Sequence, residues 1–137
     1  MSKSEFISGL MNGEPLKPGN SNFVIAEWMA EGTPIGDVPE LIAPLHKHNN
    51  DDEAWYVLEG TLGFQIGEQQ LVANAGQAVV VPRGVPHTYW NPKPEQAKYL
   101  IMMTAKIQSL IDGIHNATQR DHETMKALFY MYDSELL

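Results

Sequence analysis

Cysteine is absent from this 137-residue chain, which excludes disulfides, thiolate nucleophiles and cysteine-ligated zinc. Positive charge is scarce: nine Lys and Arg face seventeen Asp and Glu, a formal net charge of -8. A surface of that sign repels phosphate backbones and anionic lipid, so neither nucleic acid nor a membrane surface is an expected partner. Long hydrophobic runs are missing too. No stretch approaches a membrane span, and the opening "MSKSEFISGLMNGEP" has no apolar core of signal-peptide length. Together these absences point to a cytoplasmic protein. There is no low-complexity tract and no internal repeat, and the length suits a single domain with a real core.

What is present is mostly β in character. After a Gly-, Pro- and Asn-rich stretch at 11–22, "MNGEPLKPGNSN", come eight short segments rich in β-branched and aromatic residues. They are "NFVIAEWMA", "LIAPLHKH", "AWYVLEG", "TLGFQIG", "QLVANAG", "QAVVVP", "HTYWN" and "AKYLIMMT", each bounded by Gly, Pro, Asn or a charge cluster. The connections are too short for crossover helices, so the sheets are expected to be antiparallel, in a sandwich or jelly-roll barrel. Near residue 105 the period changes. Ile107, Leu110, Ile111 and Ile114 fall at i, i+3, i+4 and i+7, as do Met125, Leu128, Phe129 and Tyr132, predicting two amphipathic helices. Asp121 is the expected N-cap of the second, with Thr124 three places on. The division is then an N-terminal segment at 1–22, an all-β barrel at 23–104, and helices packing on the barrel at 105–137. His115 and His122 fall on those helices and are expected to cover or contact rather than to catalyse.

Two stretches carry chemistry. In "LIAPLHKH", residues two apart on a strand share a face, so His46 and His48 project together while Lys47 points away. Paired neutral imidazoles are a natural chelate. The polar "NNDD" then reverses the chain and delivers Glu53, a carboxylate that adds an oxygen ligand. In the second stretch, "GQAVVVPRGVPHTYWN", an apolar strand ends in a Pro and Gly turn and His87 opens the next strand, with Tyr89 and Asn91 on its face.

Taken together, these stretches resemble the paired motifs of the cupin superfamily. His46, His48, Glu53 and Gly60 match the first motif, and Gly76, Pro82, Gly84, His87 and Asn91 match the second in full. The fifteen residues between Gly60 and Gly76 suit a small single-domain bacterial cupin. One position departs: Glu40 stands where the first motif begins with Gly, a turn position that binds nothing. The resemblance implies a double-stranded β-helix (jelly-roll) barrel with a C-terminal helical extension. It also implies a divalent transition metal (Fe, Mn, Ni, Co, Cu or Zn) held by His46, His48, Glu53 and His87.

Within the superfamily, "PLHKHNNDDEAWYVLEGTLGFQIGEQ" is similar to the small quercetinase-like cupins. That similarity implies a dioxygenase acting on a small aromatic or enolic compound, with Glu53 as the catalytic base. Two alternatives share the ligand set: a non-catalytic metal or small-molecule binder, and a redox-neutral isomerase or lyase using the metal as a Lewis acid. By alternation from Glu53, Trp55 and Val57 face inward. Tyr89, Phe64, and from the last strand Leu100 and Met102, are expected to complete a cavity for one modest ligand. Cupins of this kind often pair through sheet edges, so a homodimer is expected.

Overall fold

The computed structural model describes residues 5–9 and 13–137, and two antiparallel sheets face each other across one core. Strands β1 (Phe23–Ala30), β2 (Ala43–His48), β3 (Glu53–Glu59), β4 (Thr61–Ile66), β5 (Gln69–Asn74), β6 (Ala78–Val81), β7 (His87–Trp90) and β8 (Ala97–Thr104) follow one another in the chain. They correspond to the eight segments of the sequence. Helices α1 (Ala105–Asn116) and α2 (His122–Met131) come next, then a short strand β9 (Ser134–Leu136). One sheet has the order β1-β8-β3-β6 and the other β5-β4-β7-β2-β9. Apart from the β4–β5 hairpin, neighbours in a sheet are not consecutive in the chain, as in a jelly roll, and the fold is the double-stranded β-helix with helices after the barrel.

Alternation builds the core. On β3, Glu53, Trp55 and Val57 are buried while Tyr56 and Leu58 are exposed. On β8 it is Ala97, Tyr99, Ile101 and Met103 that turn inward. Leu62 and Phe64 of β4, Val81 of β6 and Val24 and Ala26 of β1 complete the interior. The segment before β1 is also engaged, because Leu16 forms an isolated bridge with Ile25.

Both helices begin at side-chain caps. Thr104 Oγ1 accepts from the Ile107 N–H at 3.3 Å, and Asp121 accepts from the Thr124 N–H at 3.2 Å, each satisfying one orphan amide of the first turn. Gly113, a poor helix former, has a packing reason. A Cβ there would lie 3.0 Å from Leu128 Cδ1, so glycine lets α1 and α2 approach closely.

The tail departs from the purely helical expectation. Tyr132 caps α2 instead of continuing it. Asp133 takes a left-handed conformation (φ 55), which a short polar side chain tolerates, and is ion-paired to Lys106 of α1. The chain then re-enters the sheet, pairing His46 with Leu136, Lys47 with Glu135 and His48 with Ser134. Three residues are too few to show a strand period. Among the described residues no helix is long and apolar enough to cross a membrane.

Candidate metal centre

Four side chains from three strands converge inside the barrel. His46 and His48 come from β2, and His87 from β7, its neighbour in the five-stranded sheet, with His46 and His87 directly opposite in register. Glu53 comes from β3 in the other sheet, so the cluster bridges the two layers. All four are buried, and one ligand atom from each lies within 4.8 Å of the others. Glu53 Oε1 is 3.2 Å from both His48 Nε2 and His87 Nε2, and His46 Nε2 is 3.2 Å from His48 Nε2.

The loops that hold them are tied together. Gly84 sits in the left-handed region (φ 81), and its N–H donates to the His48 carbonyl at 2.6 Å. That bond fastens the turn before β7 to the end of β2. Arg83 adds an exposed clamp, its backbone N–H and guanidinium both donating to the Asp52 carboxylate. Asn91, also of the second motif, donates to the carbonyls of Ala30, Glu31 and Glu95 and accepts from the Lys93 N–H. Its role is to brace loops rather than to bind.

The outer nitrogens set the tautomers. His46 Nδ1 is 2.6 Å from the Pro44 carbonyl and His87 Nδ1 is 3.0 Å from the Val85 carbonyl. A carbonyl only accepts, so in both rings Nδ1 donates outward and Nε2 is the nitrogen that faces the cluster. His48 reaches the same state differently. Ser134 Oγ donates to the Tyr132 carbonyl at 3.2 Å and so accepts from His48 Nδ1 at 2.7 Å. Burial above all, then the neighbouring imidazoles His87 and His48, lowers the His46 pKa to about 4, keeping it neutral near pH 7. Burial alone would raise Glu53, but hydrogen bonds and charge from His48 and His87 outweigh it and hold the carboxyl at about 2. Three ring nitrogens and a carboxylate oxygen thus converge with their outer partners already engaged. An ion would take the place of the hydrogen bonds that Glu53 makes with His48 and His87, and the N3O set fits a divalent transition ion.

Beside the cluster opens a cavity of about 210 Å³. Trp55, Tyr89, Tyr99 and Ile101 line it from the barrel, as do Ile42, just before β2, and Ala43 and Pro44 at its start. Helix α1 contributes Ile107, Leu110, Ile111 and Ile114, and α2 contributes Phe129, whose ring centroid is 5.5 Å from that of His46. The helices therefore close the wall next to the metal ligands. His115 joins the lining in edge contact with Trp28 (centroids 5.5 Å apart), a place its helical position alone did not foretell.

Three expected cavity residues lie elsewhere. Phe64 is buried behind the wall, stacked on Tyr89 at 5.6 Å and edge-on to Trp55 at 5.3 Å, and supports those rings without reaching the cavity. Met102, with Leu100, points to the other face of β8, where it borders a surface depression with Phe23, Val80 and Arg83. The outward face of β8 has Lys98 and Thr104 at its ends but apolar Leu100 and Met102 at its middle, which masks the inward parity there.

A family model described as "Cupin domain" matches residues 38–103, which contain all four clustered side chains. The barrel is a cupin domain. Over 74 residues, half of this chain, it is 34% identical to "Germin-like protein subfamily T member 2" of Arabidopsis thaliana, of whose length that match covers 34%. Among solved structures it resembles a cupin-2 domain-containing protein from Shewanella frigidimarina (24% identity, TM-score 0.52, 70% of this chain and 82% of that one). It also resembles a sugar phosphate isomerase of the cupin superfamily from Silicibacter pomeroyi (22% identity, TM-score 0.53, 61% of this chain and 51% of that one). At these identities the structural likenesses establish the fold alone. The buried His46, His48, Glu53 and His87 fit a cupin metal site.

Proposed function

We propose that this cupin is a metal-dependent dioxygenase for a small, uncharged aromatic or enolic compound. The observation that carries the reading is the character of the cavity beside the cluster. Its walls are aromatic and aliphatic, and no Lys or Arg lines it, while Glu53 holds a negative charge there. Beyond the ion itself, a phosphorylated sugar or a small dicarboxylate would find no Lys or Arg to pair its remaining charge, at a cost of several kcal/mol of lost hydration. A neutral hydroxylated ring meets no such barrier.

A redox-active ion held by His46, His48, Glu53 and His87 supplies acidification of a bound hydroxyl and the means to activate dioxygen. The chain's own part is to orient the ring against Trp55 and Tyr89, exclude water with α1 and α2, and take up the substrate's proton. Glu53 is the group for that last role. Its low pKa makes it a weak base toward a free hydroxyl, so it serves only a hydroxyl already acidified in the site. A homodimer belongs to the same reading. The outer face of the four-stranded sheet leaves Tyr56, Leu58 and Val80 exposed, an apolar grouping of the kind that marks interfaces.

The deciding experiment loads the protein in turn with Fe, Mn, Ni, Co, Cu and Zn and follows oxygen consumption with catechols and cyclic diketones. Substrate-dependent uptake is expected with redox-active ions and is lost in Glu53→Gln. Turnover that proceeds under nitrogen with Zn refutes the oxygenase in favour of an isomerase or lyase. Metal retention with no turnover leaves a binding module.

A further inference from the structure

The cavity has two polar ends. One is the histidine and glutamate cluster. The other is the pair Tyr89 and Tyr99, whose hydroxyl oxygens are 3.0 Å apart, both rings buried and both lining the cavity. Two phenols carry two protons, and the bond between them uses one. Among the described residues no acceptor takes the other. The indole N–H of Trp55, also buried, meets no acceptor at hydrogen-bonding geometry and leans only loosely on the Tyr89 hydroxyl. This end of the cavity therefore has more donors than acceptors, in a place where an unsatisfied donor is costly.

Placement gives the surplus a use. Tyr89 lies two residues beyond His87 on β7, on the same face, hence roughly 7 Å along the strand. The Trp55 ring spans the interval, 5.7 Å from His87 and 5.4 Å from Tyr89 by centroid. An apolar cavity of roughly 150 Å³ admits benzene, so about 210 Å³ takes a single substituted ring and not a fused flavonoid system.

We infer that Tyr89 and Tyr99 form a recognition subsite for a neutral oxygen acceptor. This oxygen is carried on the far side of a monocyclic substrate whose chelating oxygens face the cluster. The inference deepens the reading above and rests on it for the orientation of the ring. The acceptor is uncharged, because no Lys or Arg lines the cavity and the side chains around the two hydroxyls are aromatic and aliphatic.

The test is calorimetric binding under nitrogen to the Zn-loaded protein, with three catechols that differ across the ring. 3,4-Dihydroxybenzyl alcohol supplies the oxygen, 4-methylcatechol lacks it, and 3,4-dihydroxybenzoate charges it. In a merely apolar pocket the methyl compound binds tighter, since the alcohol loses water without recompense. The subsite predicts the reverse: the alcohol about tenfold tighter than the methyl compound, and the benzoate weakest. In Tyr89→Phe/Tyr99→Phe the order of alcohol and methyl inverts, with far-UV circular dichroism showing that the barrel is kept. Tighter binding of the methyl compound to the unmodified protein overturns the inference, as does failure of both rings to bind. That comparison decides alone should the double variant not fold. Oxygen uptake is read separately. Discrimination without uptake refutes the oxygenase and keeps the subsite, and uptake without discrimination does the opposite.

Discussion

Replacing Tyr99 with Phe should flatten the alkaline limb of the stability curve, and by a calculable amount. Burial first, then the Glu53 charge, raises the Tyr99 phenol from 10.0 to about 12, against a hydrogen bond from Tyr89 that lowers it. Between those values the unfolded chain has released this proton and the folded one retains it. Stability is therefore unaffected below pH 10 and declines as pH climbs toward 12, where both states are ionised. At pH 11.5 the loss from this group is about 1.9 kcal/mol. Urea unfolding of the parent and of Tyr99→Phe at pH 9 and at pH 11.5 isolates it. Lysines and the tyrosines outside this pair titrate alike in both proteins and cancel, while Tyr89, raised in part by Tyr99 itself, adds to the difference in the same hydroxyl pair. At pH 9 the variant should be about 1 kcal/mol weaker, from the lost bond to Tyr89. By pH 11.5 that order should have reversed, because only the parent suffers the ionisation cost. Equal declines in the two proteins would mean that the Tyr99 hydroxyl meets water, and the hydroxyl pair would then be no sealed subsite.

Other outcomes follow from the same structure. His48→Ala and His87→Ala should each lose bound metal and keep the barrel, since their strands are held by the core; elemental analysis beside far-UV circular dichroism reads both, and full retention in both variants ends the four-ligand assignment. Ser134→Ala should weaken metal affinity about 10- to 100-fold, in the range found for outer partners of ligating histidines, while Ser134→Thr retains it; competition with a chromophoric chelator gives the numbers. Phe129→Ala should cost about 3 kcal/mol, the low end for a buried phenylalanine, because the ring borders an existing cavity; chemical denaturation checks the loss.

Much of the architecture could be read from the residues, for identifiable reasons. The eight barrel strands are short and punctuated by Gly, Pro and Asn, and α1 and α2 show their period plainly. Alternation placed His46 and His48 on one face, but it was the resemblance to the paired cupin motifs, matched in fixed spacing, that made His46, His48, Glu53 and His87 legible as one set. Parity was masked at β8, where Leu100 and Met102 put apolar side chains at the middle of the face that Lys98 and Thr104 mark as outward. Phe64 shares the inward face of its strand, but depth within a packed layer is set by neighbours that alternation does not reveal. Ser134 and His115 were invisible for another reason. Each acts through a partner 86 or 87 residues away, His48 and Trp28 respectively, and only the closed fold brings those partners within reach.

The short strand β9 has a consequence for biosynthesis. Ser134 is made 47 residues after His87, the last of the four clustered side chains to be translated. At about 5–20 residues per second, the ribosome needs roughly two to nine seconds more before the hydroxyl that orients His48 even exists. An ion captured by the nascent chain during that interval meets a looser set of donors than the finished protein offers. Selection among competing ions is thus deferred until the C-terminal strand has docked.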